Sequence, residues 1–415
     1  MLLHSPIRKA ALAVLVLGFC AVYLHIAERD WRASRIARSG TRESLQEASR
    51  LEPGNATYAD LLGRRSFYAE QDVKGSIGEF EEATSLNPGM AQYWTDLALA
   101  YSAAGQTGHE REAVQRALVA DPSSPEVAWD AANFYFALGD SSAALAQLRI
   151  VFQYQSWSAL DGMQLAWRAT HDPGLILREA LPDDPESRLA FLKFLLEQNE
   201  PAAAAQVWAQ VVAEGRPFDP KLAYPYVQYL LTQKEVSAAQ DVWKQLAAVD
   251  PSFAPYLPSL GLMVNSDFEL DIVNAGFDWR YQQVPHVSLA IDASEARTGK
   301  RALSINFDGG PVGDIGFWQL VPVRPGATYE LTAYSQAQEW SGTGGLRLAV
   351  EDAFDHTPCG ASELLATTAG WRATTLTFTA GPQTTLVMVK LVRDPAGGVL
   401  TGRFWLDDVS LGQRP

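Results

Sequence analysis

Few side chains in this sequence are placed as a catalytic pair would be. Asp407 and Asp408 form an acidic pair of the kind that hydrolyses glycosidic bonds, but neighbouring residues of a strand are expected to point to opposite faces of a sheet and could not both reach one bond. His356 lies near Cys359, as a base lies near a thiol nucleophile, yet their loop is short and isolated. The HExxH, phosphate-loop and GxSxG motifs do not occur. We therefore predict that the protein is not an enzyme.

The length and charge of the chain narrow the class of protein further. Its 415 residues are enough for two or three domains, and 47% of them are hydrophobic, which is ample for packed cores. The formal charge of -15 would repel phosphate backbones, so we predict that the protein does not bind nucleic acid. Its two cysteines, Cys20 and Cys359, exclude a disulfide framework and a cysteine-rich metal site.

Residues 1–40 have the pattern of a membrane anchor. Ala10–Ala27 contains 18 residues without a formal charge, follows Arg8 and Lys9, and as an α-helix would reach roughly 27 Å, close to the hydrocarbon thickness of a bilayer. The alternatives are a cleaved signal peptide and a buried helix of a soluble domain. No small-x-small cleavage site follows, and Glu28–Arg32 continues the helical pattern. We therefore predict an uncleaved transmembrane helix between a cytoplasmic stub and a juxtamembrane helix.

The charges that flank this helix give conflicting indications about its orientation. Five arginines follow the apolar stretch, from Arg29 to Arg42, and the positive-inside rule would then place the carboxyl side in the cytoplasm. Against this, a short charged amino-terminal tail usually stays in the cytoplasm, and the last domain has the character of an extracytoplasmic one. We predict a single-pass inner-membrane protein whose carboxyl-terminal domains lie in the periplasm.

A repeated motif marks the middle of the chain. It occurs as Leu51-Glu52-Pro53-Gly54, Leu86-Asn87-Pro88-Gly89 and Ala120-Asp121-Pro122-Ser123, at intervals of 35 and 34 residues with helix–turn–helix patterns between. The second unit also carries Trp94, Leu97, Ala98, Tyr101, Gly105 and Ala117, and the first unit matches with one inserted residue. This pattern resembles the tetratricopeptide repeat (TPR), whose period is 34 residues. The resemblance implies a TPR-like α-solenoid, because no single helix pair can bury its apolar face alone.

We expect five to six helix pairs within residues 41–260. Two later pairs, Pro185–Glu214 and Asp219–Asp250, have Val-Trp pairs at matching places. Arrays of this kind bind a peptide, a helix or a partner domain in a groove lined by the first helix of each pair. The residues that we predict to line this groove and to contact a protein partner are Tyr58, Gln92, Asp96, Asn133 and Tyr226. The net charge of -13 over residues 51–261 favours a basic or neutral partner segment.

Residues 261–415 have the alternating pattern and the turn residues of a β-sandwich. The strand-like runs are Arg301–Phe307, Phe317–Val323, Thr328–Ser335, Leu346–Glu351, Trp371–Thr379, Thr385–Val392 and Arg403–Leu411. The text Asn265-Ser266-Asp267-Phe268-Glu269, Pro325-Gly326-Ala327-Thr328-Tyr329 and Phe404–Leu411 resembles the carbohydrate-binding modules of cellulases and xylanases. The resemblance covers nearly all of residues 264–413 and implies a jelly-roll fold.

The same resemblance implies a glycan ligand. Sugar rings stack their C–H faces on flat aromatic side chains, and their hydroxyl groups need polar partners beside them. The residues that we predict to bind glycan are Trp279, Trp318, Trp340 and Gln338. We expect Trp340 to be the most exposed tryptophan, because it lies between Glu339 and Ser341 in a predicted loop. The alternative for each tryptophan is that it fills the core or an edge of the sandwich.

A structural Ca²⁺ is the cofactor that the resemblance implies. Many modules of this family hold one between their first and last strands, and Glu269 and Asp408 are the residues at matching positions. Asp407 is the alternative to Asp408, and backbone carbonyls near Gly299 would complete the coordination. The competing interpretation is that Lys300 satisfies a carboxylate without a metal. We expect no other cofactor.

Together these features predict a non-enzymatic, membrane-anchored adaptor or scaffold. Its repeats would bind a protein partner, while its β-sandwich would contact glycan or pack within an assembly of the cell envelope. By analogy with the families that the chain resembles, we expect a role in bacterial exopolysaccharide or other surface polysaccharide production. The alternative is a glycan-binding receptor in which the solenoid is a spacer, and a remote alternative is a component of a glycoside hydrolase.

Overall fold

The structure is a computed structural model that describes residues 6–154, 159–258, 261–365 and 367–415. The chain forms two compact units, of which one extends to Asp183 and the other begins at Asp184. Helices form the first unit and the start of the second, and two antiparallel β-sheets follow. This confirms the predicted fold class, in which an apolar amino-terminal helix and TPR-like helix pairs precede a jelly-roll-like β-sandwich.

The first helix, α1 (Pro6–Ala37), is long and apolar enough to cross a membrane. Its most apolar 18-residue window has a mean hydropathy of 2.3, and none of that window is buried against the rest of the described chain. The helix continues beyond this window without a break, and Ala33 is fully buried against Ala48 and Tyr58. The apolar segment and the first packed turns of the helical array therefore belong to one helix.

Helix pairs form the rest of the first unit. The helices are α2 (Arg42–Leu51), α3 (Ala56–Arg64), α4 (Val73–Leu86), α5 (Ala91–Ala103), α6 (Thr107–Ala120), α7 (Pro125–Ala137), α8 (Ser141–Tyr154), α9 (Ala159–Thr170) and α10 (Pro173–Glu179). Small residues allow the two helices of a pair to approach. Ala98 and Ala132 are fully buried, and the ring of Phe80 lies where a Cβ atom of Gly63 would be.

The irregular spacing of the first full repeat has a structural cause. Helix α3 continues as a π-helical turn, Arg65–Ala69, before α4 begins. A π-turn accommodates one extra residue within a helix. Gly63 and Ser76 are consequently 13 positions apart, whereas Ala98 and Glu110, at the matching places of the next repeat, are 12 positions apart.

Local chemistry fixes where many of these helices begin. A side-chain oxygen of the residue before the helix accepts a hydrogen bond from an amide of the first turn, which satisfies a donor that the helix itself cannot. The residues that cap helices in this way include Thr41, Asn55, Asp72, Ser124 and Asp184.

The second unit begins with α11 (Pro185–Glu197) and α12 (Pro201–Glu214), followed by α13 (Tyr224–Thr232) and α14 (Val236–Val249). Short 3₁₀ turns, Pro220–Ala223 and Pro251–Tyr256, flank the second of these pairs. Both pairs lie where the sequence predicts them. Their packing uses the matching tryptophans, because Trp208 and Trp243 are 5% and 2% exposed.

A sandwich of two antiparallel sheets completes the second unit. The strands are β1 (Arg280–Tyr281), β2 (Val287–Asp292), β3 (Ala302–Val312), β4 (Phe317–Pro322), β5 (Thr328–Gly342), β6 (Gly345–Asp352), β7 (Pro358–Ala361), β8 (Arg372–Thr379), β9 (Leu386–Asp394) and β10 (Gly398–Gln413). The first sheet has the order β1-β4-β9-β6-β7, and the second has the order β2-β3-β10-β5-β8. Residues that alternate along both sheets, such as Val389 and Leu406, are buried between them.

Helices α13 and α14 contact the sandwich directly. The Trp243 ring lies edge-on to the Phe277 ring, with 6.0 Å between the two centroids. Gly276 has a φ of 55°, and a Cβ atom there would overlap with the Trp243 ring. Arg280 Nη1 donates a hydrogen bond to Gln228 Oε1 over 2.7 Å. The domain boundary that the sequence places near residue 260 therefore lies inside a compact unit.

Candidate binding surfaces

Polar and aromatic side chains gather on one face of the first helices of three pairs, α3, α5 and α7. We call this the acidic face and define it by Asp60, Arg64, Tyr68, Gln92, Asp96, Asp130 and Asn133. Within each helix these residues are three or four positions apart, so they lie on the same side of the helix. Tyr68, at the end of the π-helical turn, is 63% exposed and presents an accessible ring beside the carboxylates.

Arg64 joins α3 to α5 across the acidic face. Its Nε atom lies 3.0 Å from Asp60 Oδ2 and 3.0 Å from Asp96 Oδ2, and its Nη2 atom lies 2.6 Å from Asp96 Oδ2. Gln92 precedes Asp96 by one turn, with its Nε2 atom 3.5 Å from the same carboxylate oxygen. The Arg64 side chain is 39% exposed, so solvent and a ligand can reach this ion-pair network.

Asp60 is the most buried acid of this network. The residue is 5% exposed, and its Oδ1 atom has no hydrogen-bond partner among the described residues. Burial and the neighbouring charge of Asp96 raise the pKa of Asp60 to about 7, although Arg64 acts in the opposite direction. At neutral pH the Asp60 carboxyl group is therefore protonated for part of the time.

The α7 part of the acidic face carries a carboxylate without a cation. Asp130 is half-buried and has no ion-pair or hydrogen-bond partner among the described residues. Burial and the charge of Asp96 raise the pKa of Asp130. Asn133 is exposed one turn later, and its Nδ2 atom donates to the carbonyl oxygen of Trp129.

The acidic face contains three of the residues predicted to contact a partner: Gln92 and Asn133, which are exposed, and Asp96, which is 7% exposed. The other two predicted residues lie elsewhere and are buried. Tyr58 is 4% exposed and packs against Ala48, near the end of α1. Tyr226 is 5% exposed and packs on Trp208 in the second unit. Both tyrosines stabilise helix packing and offer no surface to a ligand.

The sequence contains a signal for the residues that the prediction missed. An aspartate recurs two or three positions before the small residue of three successive first helices: Asp60 before Gly63, Asp96 before Ala98 and Asp130 before Ala132. Asp96 and Asp130, two positions before the packed small residue, lie about 160° around the helix from it. The recurrence therefore indicates an acidic row on the face of the array that the helix partners do not cover.

A second candidate surface is the outer face of the first sheet. Trp318 is half-buried on β4, and Lys390 of β9 is its cross-strand neighbour. The Lys390 ammonium group pairs with Glu351 of β6, and His356 Nδ1 lies 2.9 Å from Glu351 Oε1. Although burial acts to raise it, the hydrogen bonds from Lys390 and His356 hold the pKa of Glu351 below its usual value. This surface combines an aromatic ring with charged hydrogen-bonding groups.

Trp279, predicted to stack on a sugar, is a core residue. It is 1% exposed, and its ring is stacked on Phe317 with 4.7 Å between the centroids. Its Nε1 atom donates a buried hydrogen bond to the carbonyl oxygen of Asn265. The indole is therefore packed within the sandwich, and Trp279 fills the core instead of binding a sugar.

The other predicted glycan residues do not converge on one surface. Trp340 belongs to strand β5 rather than to a loop, and its half-buried ring packs against Phe307 and Phe404 of the sandwich core. Gln338 is exposed on the outer face of the second sheet, where its Nε2 atom lies 3.3 Å from Glu295 Oε1. Trp318 thus lies on one outer face, Gln338 on the other and Trp340 between the sheets.

The two carboxylates predicted to bind Ca²⁺ are bound by the protein itself. Glu269 Oε1 accepts hydrogen bonds from the amides of Lys300 and Arg301 over 2.6 Å and 2.8 Å, which lower its pKa. Asp408 Oδ2 lies 2.5 Å from the guanidinium group of Arg297. Among the described residues no three His, Cys, Asp or Glu side chains are grouped as metal ligands. An arginine at this position repels a cation, so the arrangement does not fit Ca²⁺.

Asp407 and Asp408 point to the same segment of chain, contrary to the prediction. Strand β10 is irregular between Asp407 and Ser410, and Asp408 has a φ of 45°. Such a bulge breaks the alternation of side chains along a strand. Asp407 Oδ2 accepts the amide of Arg297 over 2.8 Å, while Asp408 pairs with the guanidinium group of the same residue. Asp407 is fully buried, so the pair lines no cleft.

Cys359 and His356 are not arranged as a nucleophile and its base. The Cys359 thiol donates to the carbonyl oxygen of Thr357, and His356 Nδ1 pairs with Glu351. Burial and the charge of Asp352 raise the pKa of the Cys359 thiol, which disfavours the reactive thiolate.

No protein family and no curated protein matches the chain. Among solved structures, a tetratricopeptide repeat protein from Parabacteroides merdae is 16% identical, with 55% of this chain and 95% of that one aligned and a TM-score of 0.31. A carbohydrate-binding module of family 4 is 17% identical over 37% of this chain and 99% of that one, with a TM-score of 0.29. The xylan-binding domain of Xyn10C from Paenibacillus barcinonensis is 17% identical over 36% and 91%, with a TM-score of 0.26. These likenesses are weak, and the fold described above rests on the helices and strands of the chain itself.

Proposed function

We propose that this protein is a non-enzymatic, membrane-anchored adaptor whose helix pairs bind a protein partner at the acidic face. The observation that carries the proposal is the placement of Arg64, Asp96 and Asp130 beside the exposed ring of Tyr68 on one side of three successive first helices. A partly exposed arginine beside an exposed aromatic ring is what a specific protein interface uses. Helix α1 is the membrane anchor, and the domains that follow it lie outside the cytoplasm.

Site-specific photo-crosslinking in cells tests this proposal. A photoreactive amino acid at Gln92, on the acidic face, is expected to give a discrete crosslinked product with a partner. The matched control position is Glu82, exposed on α4 and outside the acidic face, where no such product is expected. Tyr68→Ala should abolish the product at Gln92. Identical products from both positions, or a product that survives Tyr68→Ala, would show that the acidic face is not the partner site.

The β-sandwich of this adaptor contacts a glycan of the cell envelope through the outer face of its first sheet, in the setting of surface polysaccharide production. Trp318 supplies a flat ring, and Lys390 and Glu351 supply polar partners for hydroxyl groups. A glycan array probed with the full chain in detergent tests this second contact. Trp318→Ala should weaken retention by at least about tenfold, as expected when a stacked aromatic ring is lost.

Gln338→Ala is the matched control, because Gln338 lies on the outer face of the opposite sheet. Loss of glycan binding in Gln338→Ala but not in Trp318→Ala would move the glycan site to the second sheet. Strong Trp318-dependent binding without any crosslinked partner at Gln92 would instead favour the glycan-binding receptor, in which the helix pairs act as a spacer.

A further inference from the structure

A pocket of about 590 Å³ lies beside α1, just after its apolar segment. Arg29 of α1 lines one side of it, and the turn between α2 and α3 lines another, from Glu52 onwards. Ala33 of α1 packs against Ala48 of α2, and the two helices are antiparallel because a short turn joins them. One turn nearer to the apolar segment, Arg29 is therefore level with Glu52.

With α1 as the membrane anchor, this pocket lies at the surface of the bilayer. The uncharged segment Ala10–Ala27 ends two positions before Arg29, which is about 3 Å along the helix axis, and α1 is unbroken through both. The turn between α4 and α5 belongs to the same edge of the helix pairs, because Leu86 and Asn87 also line the pocket. Leu86 and Met90 flank that turn and are 38% and 46% exposed, so accessible apolar side chains lie beside the polar pocket.

The residues that line the pocket include one cation and one carboxylate, Arg29 and Glu52. No ion pair joins these two groups among the described residues. The Arg29 guanidinium group is 46% exposed as a side chain and lies 3.7 Å from Asp30. The Glu52 carboxylate accepts a hydrogen bond from Asn55 Nδ2 over 3.0 Å. Opposite charges that line one pocket without pairing with each other suit a ligand that carries both signs of charge.

We infer that this pocket binds the headgroup of a zwitterionic phospholipid with a primary ammonium group, of the phosphatidylethanolamine class. Arg29 binds the phosphate, and Glu52 accepts hydrogen bonds from the ammonium group. Leu86 and Met90 extend the contact to the boundary of the acyl chains. The inference rests on the part of the proposed function that makes α1 the membrane anchor, and it adds a lipid ligand for the helix pairs.

Native mass spectrometry of the full chain in detergent, titrated with one phospholipid at a time, tests the class of lipid. Phosphatidylethanolamine should bind at least about fivefold more tightly than phosphatidylcholine, whose quaternary ammonium group donates no hydrogen bond, and than phosphatidylglycerol, which has no cation. Arg29→Gln should weaken the binding of phosphatidylethanolamine at least about fivefold. The matched control is Arg32→Gln, which removes the same charge from α1 at a side chain that pairs with Glu28 and does not line the pocket. Circular dichroism confirms that each variant is folded.

Photo-crosslinking in native membranes tests the position of this edge. A photoreactive amino acid at Met90 should give a lipid adduct, whereas one at Lys74, exposed at the opposite end of α4, should give none. Adducts at both positions or at neither would overturn the inference. Equal binding of the three lipids, or equal losses in Arg29→Gln and Arg32→Gln, would also overturn it.

Two controls separate the source of the ligand and the failure of the anchor from failure of the pocket. Soluble glycerophosphoethanolamine that binds as tightly as the lipid would refute the bilayer as the source of the headgroup. Carbonate extraction of cell membranes judges the anchor itself. A chain that carbonate releases refutes the anchor and this inference together, whereas a chain that stays in the membrane and does not distinguish the lipids refutes the inference alone.

Discussion

Asp278 should make the local stability of the second unit depend on pH. It is 0% exposed, close to Tyr224 and Tyr256, where the last helix pair contacts the sandwich. Its Oδ2 atom accepts the amide of Val273 over 2.8 Å, while its Oδ1 atom has no hydrogen-bond partner among the described residues. Burial raises the pKa of Asp278 to about 7, so the carboxyl group is largely protonated in mildly acidic solution.

The direction and size of the effect follow from proton linkage. Between the ordinary aspartate pKa of about 3.9 and the folded value, the folded protein binds a proton that the unfolded chain releases. Stability is therefore greatest below this range and falls by about 1.4 kcal/mol for each pH unit within it. From pH 5 to pH 7 the opening free energy around Asp278 should decrease by about 2 to 3 kcal/mol, an upper limit for this one group. Asp278→Asn, a neutral mimic of the protonated acid, should remove this dependence.

Hydrogen exchange measured by mass spectrometry on the segment 265–281 gives the local opening free energy after correction for intrinsic rates. The matched control is Asp271→Asn, because Asp271 has an 89% exposed side chain that pairs with Arg301 and lies in the same segment. This control should keep the pH dependence of the unmodified protein. Protection that stays constant from pH 5 to pH 7 in the unmodified protein, or that falls equally in Asp278→Asn, would refute the reasoning.

Two further substitutions test the packing of each unit. Glu110→Ala should stabilise the helix pairs by about 1 to 3 kcal/mol, because Glu110 is 2% exposed and its Oε1 atom has no partner among the described residues. Thermal unfolding followed by circular dichroism measures this change, with Glu112→Ala, at an exposed position of the same helix, as the control. A lower melting temperature for Glu110→Ala would contradict the expectation. Gly276→Ala should weaken the contact between helix and sandwich by about 2 to 4 kcal/mol, because a positive φ and overlap with Trp243 both oppose a Cβ atom. Gly370→Ala, with open space around it, is the control, and unchanged exchange protection in Gly276→Ala would show that the ring moves aside freely.

The repeat period predicted the helix pairs well, because small residues such as Ala98 and Ala132 must recur wherever two helices approach closely. Seven strands were predicted where β-branched and aromatic residues alternate, but β1 and β2 (Val287–Asp292) were not predicted. β7 (Pro358–Ala361) was missed, because its residues have little intrinsic preference for a strand and it forms only by pairing with β6. The direction of the Asp408 side chain was also not predictable from the local sequence. Its positive φ belongs to a bulge, and the bulge is defined only by the pairing of β10 with β5.

The sequence does not show which aromatic side chains of the sandwich face solvent and which face the core. Trp318 lies on the short strand β4 and Trp279 directly precedes β1, and alternation alone does not say which face of a strand is turned inward. The stacking of Trp279 on Phe317 and the pairing of β4 with β9 decide it, and both are long-range properties of the sandwich. On the helices, Gln92 and Asp96 were found because the repeat assigns them to a first helix. Tyr58 belongs to a first helix too, but it is covered by α1, a contact that the repeat pattern does not contain.

The helix pairs contain two kinds of buried acid: one that is isolated and one that recurs along the array. Glu110 occupies a position that is filled by Ser76 and Ala144 in the neighbouring repeats, and both of these small residues are fully buried. Among these three repeats, the glutamate is therefore the exception at a position that otherwise packs a small residue. Asp96, by contrast, is matched by Asp130 on the next first helix, Asp60 lies within one position of the matching place on the preceding one, and Arg64 lies between Asp60 and Asp96. Our proposal that this face binds a partner accounts for a destabilising carboxylate that recurs with the repeat and faces a partly exposed arginine, whereas imperfect packing accounts for an isolated one. Removing the isolated acid should therefore raise stability without changing partner binding, and removing Asp130 should change binding first.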